Sequence, residues 1–92
     1  MPLVRFIGNC RNKDYRYDPI SGNPEPSVKS PEECHAKCIG ESDCVAFRVM
    51  ESSNVNCFLY SNGPYTQGDG SSGITCYVMP GTIYYFHKYQ SW

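Results

Sequence analysis

Four side chains able to ligate a metal or exchange electrons crowd into residues 34–44, CHAKCIGESDC: Cys34, His35, Cys38 and Cys44. Three chemistries use such a cluster, namely a zinc clamp, a dithiol redox centre and a set of disulfide staples. Zinc fits poorly. The sequence has no C-x-x-C pair, and on a helix His35 points about 100° away from the face that carries Cys34 and Cys38. A thioredoxin-type redox site also needs C-x-x-C at a helix start, and the spacing here is C-x-x-x-C. Staples remain, and the chain needs them. Ninety-two residues make one domain, spanning 1–92, and a domain of that size buries only about 60–65% of the surface its unfolded chain exposes. Six cysteines, an even count, suit an oxidising compartment, so the chain is expected to be secreted or extracellular.

The elements that position these cysteines are readable. SPEECHAKCIGES reads as a helix over 31–39, with Ser30 as N-cap, Pro31 in the first position, Glu32 and Glu33 against the positive end and Gly40 as the stop. Cys34 and Cys38 then project one turn apart from one face. VAFRV (45–49) and CFLY (57–60), separated by MESSNVN, read as an antiparallel hairpin. Run beneath the helix, that hairpin sets Cys44 under the helix end and Cys57 under its start. The geometry pairs Cys38 with Cys44 and Cys34 with Cys57, and elimination leaves Cys10 with Cys76.

These residues carry a resemblance. SPEECHAKCIGESDCVAFRVMESSNVNCFLY resembles the central signature of the PAN/apple domain family: a helix with C-x-x-x-C, a short gap to a cysteine before an apolar-aromatic strand, then Cys-Phe-Leu-Tyr. The resemblance implies an α+β fold, a small disulfide-stapled, curved antiparallel β-sheet with one α-helix packed on it. It also implies a non-catalytic binding module whose ligand is a glycan or an extracellular protein, lectin-like or adhesive in role.

Around this centre, VRFIG (4–8) and ITCYVM (74–79) read as strands, and residues 11–29 read as a surface excursion broken by Pro19, Gly22, Pro24 and Pro26, with short extended pieces around DYRY. SNGPYTQGDGSSG (61–73) reads as a long flexible loop, a usual home for function. TIYYFHKYQ alternates in the manner of a terminal strand joining the first one, and the tail after Cys76 runs further than the apple pattern.

Composition excludes several functions. Eight Lys plus Arg against nine Asp plus Glu leave a net charge of −1, so nothing is built to grip nucleic acid. No apolar run reaches the roughly 18 residues of a membrane span. MPLVRFIGNC is too short and too broken for a signal sequence, so the leader of a secreted chain, or the rest of a longer one, is expected outside these residues. Catalysis has no foothold: GSSG (70–73) lacks the strand-to-helix setting of a serine elbow, bridged cysteines offer no thiolate, and Glu32, Glu33 and Glu51 read as capping and turn residues. His35 and His87 read as a surface helix residue and a strand residue. No cofactor or metal is expected, because GDG (68–70) holds a single carboxylate where calcium needs six to eight oxygens.

Binding remains. The chain holds eight Tyr, four Phe and one Trp, rings that suit protein hot spots and sugar faces alike. Phe47, Phe58 and Tyr60 are expected in the core beside the bridges. Tyr15, Tyr17 and Tyr65, set among Pro and Gly, are expected on the surface as ligand anchors, with Gln67 and Asp69 as polar contacts. Glu33, His35, Lys37 and Glu41 are expected to form a solvated helix face. The alternative is assembly, in which the aromatic C-terminal strand pairs with a second copy, a homodimer, or with another chain.

Overall fold

A computed structural model describes residues 3–52 and 54–80. The helix α1 (Pro31–Gly40) starts as its sequence dictates. Ser30 Oγ accepts a hydrogen bond from the Glu33 amide at 3.1 Å, Pro31 occupies the first turn, and Glu33 Oε1 accepts from the Lys29 amide at 2.7 Å. The far end differs from expectation. Gly40 belongs to the helix, and Glu41, in an extended conformation, closes it by donating its amide to the Cys38 carbonyl. The hairpin needs an immediate exit at residue 41, and a left-handed glycine is not required to provide it.

Four antiparallel strands form the main sheet, in the order β1 (Val4–Ile7), β6 (Ile74–Val78), β3 (Ala46–Met50), β4 (Phe58–Tyr60). The register places Phe47 opposite Leu59 and Tyr77, and Arg48 opposite Phe58 and Cys76. Because strand side chains alternate, those two sets occupy opposite faces. On the helix face, Phe47, Val49, Val55, Leu59 and Met79 pack with Cys34, Cys38, Cys44 and Cys57. The His35 ring lies on Phe47 at 5.5 Å between centroids and Phe47 lies on Tyr77 at 5.1 Å, each pair within 17° of parallel. His35 is therefore not part of a solvated face, and Ile39, 51% exposed, places an apolar side chain on the outer surface of the helix.

The other face carries a second core of Cys10, Val45, Ala46, Tyr60, Tyr65 and Cys76. It is roofed by segments expected to be loose. Two residues of the 61–73 loop, β5 (Gln67–Gly68), pair with β2 (Cys10–Arg11). Residues 18–20 run along the outer edge of β4, where Ser61 donates to Asp18, Ile20 donates to Leu59, and Pro19 forms a bridge with Tyr60. Gly8 makes the corner between β1 and β2. Its φ of +101° favours glycine, and a Cβ there would sit 2.2 Å from Asp69 Oδ1.

The bridges are Cys10–Cys76, Cys34–Cys57 and Cys38–Cys44, spanning 66, 23 and 6 positions. Two lock the helix to the hairpin, the arrangement the spacing predicts. The third ties β2 to β6 on the opposite face. With every cysteine oxidised, no thiolate is left for zinc or for redox exchange. The expected terminal strand in TIYYFHKYQ lies outside the described residues.

Candidate functional site

The roof of the second face brings together most of the side chains expected to bind. The turn at residues 12–16 is built by Asn12, whose Oδ1 accepts from the amides of Asp14 and Arg16, each at 2.9 Å. This is the local mimicry that makes Asn a turn former. In place of a short extended piece, DYRY thus holds a tight turn that sets Tyr15 at φ 63°, a conformation costing an L-residue about 1–2 kcal/mol. Tyr15 and Tyr17 remain 54% and 53% exposed. Between them lies Arg11, its guanidinium 3.9 Å from the Tyr17 ring centroid and 5.7 Å from that of Tyr15. Tyr17 meets Tyr60 edge-on at 6.3 Å.

Asp69 and Gln67 lie beside this pair, but their polar atoms are engaged within the protein. Asp69 Oδ1 accepts from the amides of Asn9 (2.8 Å) and Ser71 (3.0 Å), and Oδ2 accepts from Asn9 Nδ2 (2.9 Å) and Arg11 Nη2 (3.4 Å). Burial raises its pKa, but the hydrogen bonds from Asn9 and Ser71 outweigh that and hold the carboxyl well below the usual carboxylate range. Gln67 Nε2 donates to the Asn12 carbonyl at 2.8 Å. These two residues position the Arg11–Tyr15–Tyr17 group; Arg11 also donates Nη1 to its neighbour's carbonyl at 2.7 Å.

Tyr65 is a correction. Expected as an exposed anchor, it is 3% exposed, with its ring 5.5 Å from Tyr60. Its hydroxyl donates to the Ser61 carbonyl at 2.5 Å and accepts from the Asp18 amide at 2.9 Å. Burial pushes its pKa up to about 12. The apolar ring fills the space between sheet and roof, and local carbonyl and amide groups satisfy the hydroxyl, so the Gly/Pro-rich flanks serve the turn around a buried residue.

Sequence reasoning missed Arg11 and Arg48. A cavity of about 330 Å³ opens next to Tyr17, lined also by Asn9, Arg11, Pro19, Gly22, Arg48, Phe58 and Tyr60. Arg48 lies over the Phe58 ring at 4.4 Å and donates Nη2 to Asn56 Oδ1 at 3.3 Å. The signal was available: in VAFRVM, alternation turns Arg48 away from Phe47 and Val49, toward the face that carries Cys76. Burial raises the pKa of Tyr60 here, although the charges of Arg48 and Arg11 act to lower it. A larger trough, about 820 Å³, lies between the start of α1 and strands β1, β3 and β6, but it has no exposed ring pair. Among the described residues no group of three or more His, Cys, Asp or Glu is placed to hold a metal ion.

A helix bridged to one face of an antiparallel sheet, with a stapled, ring-bearing roof on the other, defines a small disulfide-stapled α+β domain. A family model, the PAN-like domain, matches residues 16–72. That is more than half of the 92 residues, and the chain belongs to the PAN/apple family. Domains of this family are in general non-catalytic modules that bind protein or carbohydrate, and their disulfide-bonded members are typically extracellular. No curated protein and no solved structure matches the chain. Among the described residues no helix is long and apolar enough to cross a membrane.

Proposed function

We propose that this chain is an extracellular recognition module, without catalytic activity, that binds a glycan, free or carried on a protein surface, through Tyr15, Tyr17 and Arg11. One observation carries the reading. Two half-exposed tyrosine rings flank a guanidinium on a platform tied to the sheet by Cys10–Cys76 and the Asp69 hydrogen bonds. Rings held in this way lose little freedom on binding, so their contact area is converted efficiently into affinity.

A glycan array probed with the full chain, beside a pull-down from extracellular matrix, tests it. Tyr15→Ala and Tyr17→Ala should each weaken binding by about 30-fold, the effect of removing a ring anchor, while Lys37→Ala on the helix leaves it unchanged. The reverse pattern in folded variants refutes the placement. Sedimentation that shows a concentration-dependent dimer, with no ligand found, favours assembly instead.

A further inference from the structure

Among the described residues Arg48 is a cation without a counter-ion. All nine Asp and Glu of the sequence lie among the described residues, and among those residues the one ion pair is Arg11–Asp69. The Nε of Arg48 is buried and has no hydrogen-bond partner among the described residues. Removing a guanidinium N–H from water without a partner is costly, and folded proteins ordinarily avoid it. The groups that engage it are neutral: Nη2 donates to the amide of Asn56, the guanidinium hydrogen-bonds the Tyr60 side chain, and the Phe58 ring beneath supplies cation–π attraction without a negative charge.

The cavity beside Arg48 has the complementary composition. Two guanidinium groups, Arg11 and Arg48, share its lining, and among the described residues only the first faces a carboxylate. One positive charge is left over. At about 330 Å³ the cavity is at the small end of ligand pockets, which run from about 300 to 1,000 Å³, so it suits one ring-sized residue and not an extended chain. Tyr17, which also lines it, stands beside the exposed Tyr15. An occupant therefore needs a single negative charge for Arg48 and a C–H-rich face for the tyrosines.

We infer that the cavity between Arg48, Arg11 and Tyr17 is a subsite for an acidic sugar residue, whose carboxylate accepts hydrogen bonds from Arg48. The inference rests on the glycan-binding reading above and adds to it the class of sugar. Arg48 is the specificity residue; the tyrosines take part whatever the charge of the sugar.

The test is a titration of the nitrogen-15-labelled full chain with glucuronate, with glucose as the neutral counterpart and an acetylated Glu tetrapeptide as the acidic one. The arginine Nε–H signals and backbone amides are followed. Glucuronate should shift the Arg48 Nε–H and the Asn9 and Tyr17 amides, with affinity about tenfold or more above either comparison ligand, as expected for a charge-assisted hydrogen bond. Arg48→Gln should abolish the preference, Arg48→Lys should restore part of it, and molar salt should weaken it. Equal binding of glucuronate and glucose through Tyr17 overturns the acidic subsite and leaves the recognition reading standing. Preference for the peptide overturns the sugar assignment, and silence toward every sugar overturns both. The comparison of the two sugars on the wild-type chain decides between these outcomes even where Arg48→Gln folds poorly.

Discussion

Replacing Asp69 by Asn changes almost no volume and removes one charge, which makes it a sharp probe of the roof. The carboxylate accepts four hydrogen bonds, three of them between 2.8 and 3.0 Å, and its side chain is 14% exposed. An asparagine oxygen keeps the bonds from the Asn9 and Ser71 amides in neutral form, and its NH2 then opposes Asn9 Nδ2 and Arg11. Asn9 can turn its amide round; Arg11 cannot. Downgrading two charge-assisted bonds costs about 1 kcal/mol each and the lost ion pair adds less, so the variant should lose about 2–3 kcal/mol. For a domain near 100 residues that is about 10–20 °C in melting temperature. The pH dependence adds a second readout. The folded-state pKa lies below the unfolded value of about 3.9, so the contribution of Asp69 is complete well above pH 4 and is lost as pH falls below it. Thermal melts of both proteins from pH 7 to pH 2, disulfides intact, measure it. The gap should be full at pH 7 and close progressively below pH 4. Equal melting temperatures at pH 7, or a gap that does not narrow in acid, refute the account of Asp69 as the latch of the roof.

Two further outcomes concern stability. Removing Cys34–Cys57, which spans 23 positions, should cost about 1 kcal/mol more than removing Cys38–Cys44, which spans 6, in the chain-entropy account of cross-links; comparing the two double-alanine variants by melting temperature checks it, and equal values contradict it. Tyr65→Phe should lose about 1–3 kcal/mol at pH 7 by leaving the Asp18 amide and Ser61 carbonyl without the hydroxyl. Because burial raises the folded-state pKa of Tyr65 to about 12, the wild-type advantage should hold below about pH 10 and shrink from there to pH 12. Urea midpoints at pH 7 and pH 11 decide it, and an advantage undiminished at pH 11 counts against the burial argument.

The helix, the hairpin and their two bridges were legible because each depends on neighbours in sequence: a cap at Ser30, a four-residue spacing, an alternating run. The roof was not. β2 and β5 are two residues each, too short for any period, and they exist only because residues 10–11 and 67–68 meet across the fold. Tyr65 misled for the same reason, since glycine and proline nearby signal a turn but do not say which way the ring inside it points. Asp69 and Gln67 are expected as polar contacts to a ligand, whereas their polar atoms are engaged by Asn9 and Asn12, more than fifty positions away, a pairing no local pattern announces. Arg48 was open to discovery, because a charge in an otherwise apolar strand always asks what neutralises it.

The stack of His35 on Phe47 on Tyr77 gives the molecule a built-in magnetic gauge. Ring currents from Phe47 push the imidazole carbon-bound protons of His35 upfield, and the same ring acts on Tyr77, stacked with it at 5.1 Å. The shift exists only while α1, β3 and β6 are in register, and it decays steeply as the rings part. One well-separated proton line can therefore follow the seating of the helix during reduction, unfolding or ligand binding, with no attached dye and no substitution at the surface where recognition is proposed.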